Sequence, residues 1–216
     1  VKEPLRNVED EFVLSPDILI ELGPPAGETA DPSKPIHSSS NFSASATAEN
    51  RASRMKLIKE LTPRVKEQKL QEHGVELIWV KTKDLLETAD VQQRHDMLMF
   101  YEAMIRGQYE QLDVVRGHFF RLIKHLPKSD TPDLYMIARV KLLDALTEQG
   151  KDILHFEDEI GQFLKKIFPI IMNSKSIFSS TEINFEKDST CPTSQPLLIN
   201  YFLHILLNII KFNSAY

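Results

Sequence analysis

The sequence predicts an all-α chain built as a HEAT- or armadillo-like α-solenoid of stacked antiparallel helix pairs. Three observations lead there. Apolar residues recur at helical spacing almost without a break from 50 to 172. Helix start signals at Asn50, Asp90 and Thr131 are separated by roughly 40 residues, the length of a two-helix repeat. No alternation of useful length marks a strand. The physical reason for a repeat is burial: one helix hairpin cannot hide both apolar faces, so each stacks on the next. A non-repeating helical bundle would bury the same stripes, and short turns make neighbouring helices antiparallel in either arrangement.

The elements follow in order. Ser15-Pro16-Asp17 starts a short helix, with Ser as N-cap, Pro at the first helical position and an acid in the first turn. Gly23-Pro24-Pro25 stops it. Residues 1–22 thus form an N-terminal segment with one helix. Residues 23–49 lose apolar periodicity and are rich in Pro, Ser, Ala and Thr. They read as a disordered linker, because such a stretch cannot offset its ordering entropy by burial.

The solenoid is expected over 50–216. Its first helix spans about 50–69 by its periodicity, with Pro63 kinking or splitting it. A second covers 70–88, where Val75, Ile78, Trp79 and Leu86 share a face. Asp90 caps a third, to Arg106. A fourth covers 109–126, with Leu112, Val115, Phe119, Leu122 and Leu126 as its stripe. Thr131-Pro132-Asp133 starts a fifth, which Gly150 ends. That helix is apolar around much of its circumference and should be flanked on more than one side. A sixth runs from Phe156 to Met172, with Pro169 in its last turn. Residues 173–196 are an irregular insert, and a final helix covers 197–213.

The final helix is the most apolar part of the chain, yet too short for a bilayer. Asn200, His204, Asn208 and Lys211 fall four, four and three residues apart, on one face. They are either the wetter side of a core helix or a polar ladder lining a groove for a partner. Partner contact, if this chain makes it through one helix, is placed on these four residues. A solenoid ending at Tyr216 would need a polar cap, so the chain is expected to continue.

Composition narrows the function. A formal charge of −5 argues against nucleic-acid binding, which needs a basic face. One Cys excludes a disulfide framework and Cys-based zinc sites, and fits a reducing compartment. The seven Gly are scattered, with no G-x-G-x-x-G and no P-loop. No cofactor is implied. His118 and His125 share a helical face, but two ligands do not make a stable metal site. Glu157-Asp158-Glu159 sits at a helix start and complements the dipole. Cys191 lies in a Ser/Thr/Pro stretch with no base assigned to it. No set of residues makes a catalytic, cofactor or metal site, so the chain reads as a scaffold and not an enzyme.

An ordered series of short strings adds to this. It comprises Glu11-Phe12, Asp17-Ile18-Leu19, Glu21-Leu22, Asn50-Arg51, Arg54-Met55, Glu72-His73, Val75-Glu76, Trp79, Arg94-His95, Gly107-Gln108, Phe119-Phe120, Ile123-Lys124, Ala145-Leu146-Thr147, Leu207-Asn208 and Lys211-Phe212-Asn213-Ser214, closing on Tyr216. In this order the chain resembles the N-terminal domain of the tuberin family, the GTPase-activating subunits of the tuberous sclerosis complex. The stretches 23–49 and 173–196 are longer than in that pattern. The resemblance implies a HEAT-like solenoid, assembly with hamartin through its coiled coil, and a place in restraining TOR signalling. It implies a cytoplasmic protein, peripheral on endomembranes within its complex. GTP hydrolysis by the small GTPase Rheb would be stimulated by a separate C-terminal domain that nothing here matches. No catalytic residue is therefore carried over. The α subunits of Ral GTPase-activating complexes share this kind of region and are the alternative family; a generic helical-repeat interaction module is the alternative outside it.

Overall fold

The computed structural model describes residues 11–23, 41–88, 90–123, 134–173 and 194–213. These are overwhelmingly helical. The chain divides into two compact units, Val1–Val115 and Arg116–Tyr216.

In the first unit, α1 spans Pro16–Leu22. The Ser15 hydroxyl accepts the backbone N–H of Ile18 at 3.3 Å, the N-cap the sequence predicts. Helix α2 spans Asn41–Glu67. It starts inside the stretch read as a linker, and it is not split at Pro63. Proline removes one donor from the ladder, but the Thr62 hydroxyl donates to the Ile58 carbonyl at 2.8 Å one residue before it. Buried Met55, Ile58, Leu61 and Val65 anchor the helix on both sides of the proline. Residues 24–40, the rest of the predicted linker, lie outside the described residues.

Helix α3 spans Gly74–Thr88 and α4 spans Val91–Gly107. The side chain of Asp90 accepts from Gln93 N–H at 2.8 Å, again as the sequence predicts. Residues 70–73 are not helical. Instead β2, Lys69–Leu70, pairs in parallel with β1, Glu11–Phe12. Two residues per strand carry no alternation to read, and the pairing is stapled by side chains: Gln71 Oε1 accepts Leu14 N–H at 3.0 Å.

The direction of packing is set by paired contacts. Lys59 meets Asp96 at 2.9 Å. Further along both helices, a Cβ on Gly107 would lie 2.3 Å from the Val65 carbonyl oxygen. The contacts advance together, so α2 and α4 run the same way with their backbones nearly touching. Arg54, in the middle of α2, meets Asp84 near the end of α3, so α3, which follows α2 after a short connection, returns antiparallel to it.

A 3-10 turn, Tyr109–Gln111, occupies the predicted start of the fourth helix; α5 itself spans Asp113–Ile123. Leu112, Val115 and Phe119 of the predicted stripe are buried and Leu122 is half-buried. Leu126 and Thr131-Pro132-Asp133 lie outside the described residues.

In the second unit, α6 spans Leu134–Thr147, α7 Glu157–Asn173 and α8 Ser194–Asn213. Between 136 and 147 every residue of α6 is buried except half-buried Lys141, as an all-round apolar helix requires. Helix α7 is amphipathic, with Ile160, Phe163, Ile167 and Ile171 buried. Gly150 ends the α6 turn at φ +79°. A Cβ there would also lie 2.3 Å from the Phe212 ring, so both conformation and space demand glycine. Arg116 reaches Asp152 at 2.9 Å, and Phe156 stacks on Phe120. Here too the outer helices run the same way: Asp144 meets His204, and Thr147 meets Asn208 one turn later. Helix α8 begins at Ser194, earlier than predicted, because its first turn includes Pro196, which a helix start tolerates. Residues 174–193 lie outside the described residues.

Candidate functional site

The predicted partner residues sit on α8, and α6 decides which way each one faces. Asp144 is buried within α6. A carboxylate in that position needs a donor, and His204 supplies Nδ1. The carboxylate accepts, so the hydrogen of this contact is on Nδ1, and the other edge of the ring faces the half-exposed side. One turn on, the Thr147 hydroxyl turns back toward the Leu143 and Asp144 carbonyls at 3.0 and 3.1 Å. It accepts Nδ2 of Asn208 at 3.3 Å.

The four predicted residues therefore separate. Asn208 is buried against α6. His204 straddles the edge, held by Asp144. Asn200 and Lys211 are exposed, and the Lys211 ammonium lies 5.0 Å from the Phe212 ring centroid. Between them the outer surface of α8 carries Leu203, Leu207 and Ile210, all exposed.

The remaining candidates are dispersed. His118 is exposed on α5; His125 and Cys191 lie outside the described residues. Glu157, Asp158 and Glu159 occupy the first turn of α7. Trp79 is in the core against Tyr101. Arg64 covers the Phe12 ring at 4.8 Å. Among the described residues no three His, Cys, Asp or Glu side chains gather as metal ligands. No helix among them is long and apolar enough to cross a membrane.

Two buried polar centres of the first unit escape sequence reasoning. Arg54 is 4% exposed. Its guanidinium forks onto both oxygens of Asp84 at 2.7 Å and donates to the Leu22 and Lys81 carbonyls at 2.9 Å. One side chain thereby ties α1, α2 and α3. Gln108 donates to the Val65 and Gln68 carbonyls at 2.7 and 2.6 Å and accepts Leu70 N–H at 2.9 Å. It satisfies the frayed end of α2 and the start of β2. Arg54 sits among Arg51, Lys56 and Lys59, so nothing in the sequence singles it out. Asp144 did have a signal, since a lone acid in an all-round apolar helix must find a partner.

Among the described residues, two titrating groups are displaced from their ordinary values. Burial drives the Tyr101 hydroxyl pKa far up, and Asp84 adds to it, against the Thr82 hydrogen bond and Arg54, so it stays a neutral member of the core. For Asp96, partial burial works upward but is outweighed by hydrogen bonds from Lys59, Gln92 and His95 and by the Lys59 charge; its carboxyl titrates below 3.8.

The family model described as a domain of unknown function (DUF3384) matches residues 51–216. The chain belongs to the DUF3384 family. The matched stretch opens within α2, beside the Arg54 clamp, and takes in α3 to α8. In this DUF3384 chain it therefore contains both same-direction helix contacts and the whole α6–α8 pair.

Proposed function

We propose that this DUF3384 chain is the non-catalytic N-terminal scaffold of a tuberin-like GTPase-activating protein. It assembles with a hamartin-like coiled-coil protein and serves the negative regulation of TOR signalling. Stimulation of Rheb resides in another domain of the parent protein. The protein works in the cytoplasm, peripherally on endomembranes within its complex.

The observation that carries the reading is the repeated helix arrangement. In each unit a helix packs against the next-but-one helix running in the same direction, α2 with α4 and then α6 with α8, and one helix intervenes in sequence, α3 and then α7. Stacked two-helix repeats have that order, and their grooves suit helices that dock by an apolar stripe. The ordered strings supply the family, and two of them, Arg54 and Gly107-Gln108, coincide with the packing nodes of the first unit. Co-purification of the full-length protein with hamartin from the same source is the test. A stable complex supports the reading. Its absence, or recovery with Ral in place of Rheb, moves the chain to the alternatives.

A further inference from the structure

Residues 11–22 are packed on the first unit in the manner of a bound peptide. Three side chains carry the burial: Phe12, Leu14 and Leu22 are 7%, 3% and 0% exposed. Val13, Pro16, Asp17, Ile20 and Glu21 between them are exposed. The main chain is held by groups that read backbone alone. The Phe12 carbonyl accepts Gln71 N–H at 3.3 Å, and Gln71 Oε1 accepts Leu14 N–H at 3.0 Å. The Leu22 carbonyl accepts Arg54 Nε–H at 2.9 Å. A short strand added to another strand, with alternate side chains buried, is a recurring mode of peptide recognition. The receiving residues Arg54, Leu70 and Gln71 lie inside the matched stretch 51–216, and the segment lies outside it.

Charge points the same way. From Glu9 to Leu22 there are five acids and no Lys or Arg. The receiving surface meets them with cations. Arg64 lies 4.8 Å from the Phe12 ring centroid, Lys69 is in register with Glu11, and a Cβ on Gly23 would lie 3.4 Å from the Lys81 ammonium. We infer that α2, α3 and β2 form a peptide-binding surface, and that residues 11–22 are its own detachable occupant. The surface takes an acidic segment with apolar residues at its first, third and eleventh positions. Helices α2 and α4 meet through Lys59 and Asp96 and at Val65 and Gly107, contacts that use no residue of the segment. The segment therefore opens before its receiver unfolds. An added peptide of the same pattern binds only while the tethered one is released, so its apparent affinity falls with the open fraction. This inference stands apart from the tuberin-like reading.

The test uses the full chain, its double variant Phe12→Asp with Leu14→Asp, and a labelled peptide of residues 9–23. Fluorescence anisotropy should show the peptide binding the double variant at least ~10-fold tighter than the wild type, whose surface is already filled. Lys69→Glu, added to the double variant, should weaken that binding, and a peptide carrying both Asp substitutions should not bind. Hydrogen exchange of the wild type should show amides of 12–22 exchanging at least ~100-fold faster than those of α4. No peptide binding to the double variant, or equal binding to both proteins, overturns the inference. So does loss of helix in the double variant, or exchange of the segment in step with α4, either of which makes it a fixed part of the core. Wild-type dimers that the double substitution dissolves would place the segment on a second copy and overturn its assignment to its own chain.

Discussion

Asp144 and His204 face each other across α6 and α8, and one turn further on Thr147 and Asn208 do the same. The two contacts make α8 a helix with a fixed inner side. They turn a polar ladder inferred from spacing into two structural residues, Asn208 and His204, and two surface residues, Asn200 and Lys211.

Removing the imidazole should expose what it does. His204→Ala leaves the buried Asp144 carboxylate without that donor, and loss of a hydrogen bond to a charged group costs about 2 kcal/mol. Leu207→Asp, on the outward side of the same helix, should change stability by less than about 0.5 kcal/mol. Urea denaturation of both variants checks the contrast. Equal losses would mean that α8 does not have the inner and outer sides described.

The Arg54 fork ties α1 to α2 and α3. Arg54→Met keeps the aliphatic stem but removes the guanidinium hydrogen bonds to the Leu22 and Lys81 carbonyls and to Asp84. The Asp84 side chain is 39% exposed, so water screens part of the ion pair, and the loss, mostly of hydrogen bonds from the buried guanidinium, is about 2 kcal/mol. Hydrogen exchange should show α1 amides losing protection before those of α4.

Gly107 has no room for a side chain. A methyl group 2.3 Å from the Val65 carbonyl oxygen meets backbone that moves only if α2 and α4 separate. Gly107→Ala should cost about 3 kcal/mol, at the upper end for overpacking. Gly161, which has open space around its Cβ position, is the control: Gly161→Ala should stabilise α7 by about 0.5 kcal/mol or more.

Asp96 gives a pH dependence of known sign. Its folded pKa lies below the unfolded value of 3.8, so its contribution is fully present above that value. It is lost as pH falls through the folded value, because the unfolded chain takes up the proton first. Acid titration of stability should show a steeper loss in the wild type than in Asp96→Asn over that window. Parallel curves would mean that Lys59 does not hold the carboxylate.

How much of this could be read beforehand differs from element to element. The caps at Ser15 and Asp90 were legible because one side chain and one nearby N–H make them. The burial of α6 was legible because its composition has no polar face. The start of α2 was not: Ser, Ala and Thr between 43 and 48 carry no apolar stripe, and a helix there has none of the local signals. Residues 69–70 pair with 11–12 across a distance in sequence that no local pattern reports. Asn208 and Asn200 look alike by spacing, and only Thr147 on another helix tells them apart. Local capping and periodicity are written in neighbouring residues, whereas facing directions depend on what lies across the packed surface.

Hydrogen-exchange mass spectrometry of the chain, alone and with the hamartin coiled coil from the same source, tests the docking claim most directly. The account predicts slowed exchange in peptides covering the exposed faces of the described helices, while α6, already buried, stays unchanged. No added protection anywhere at saturating coiled coil would contradict it.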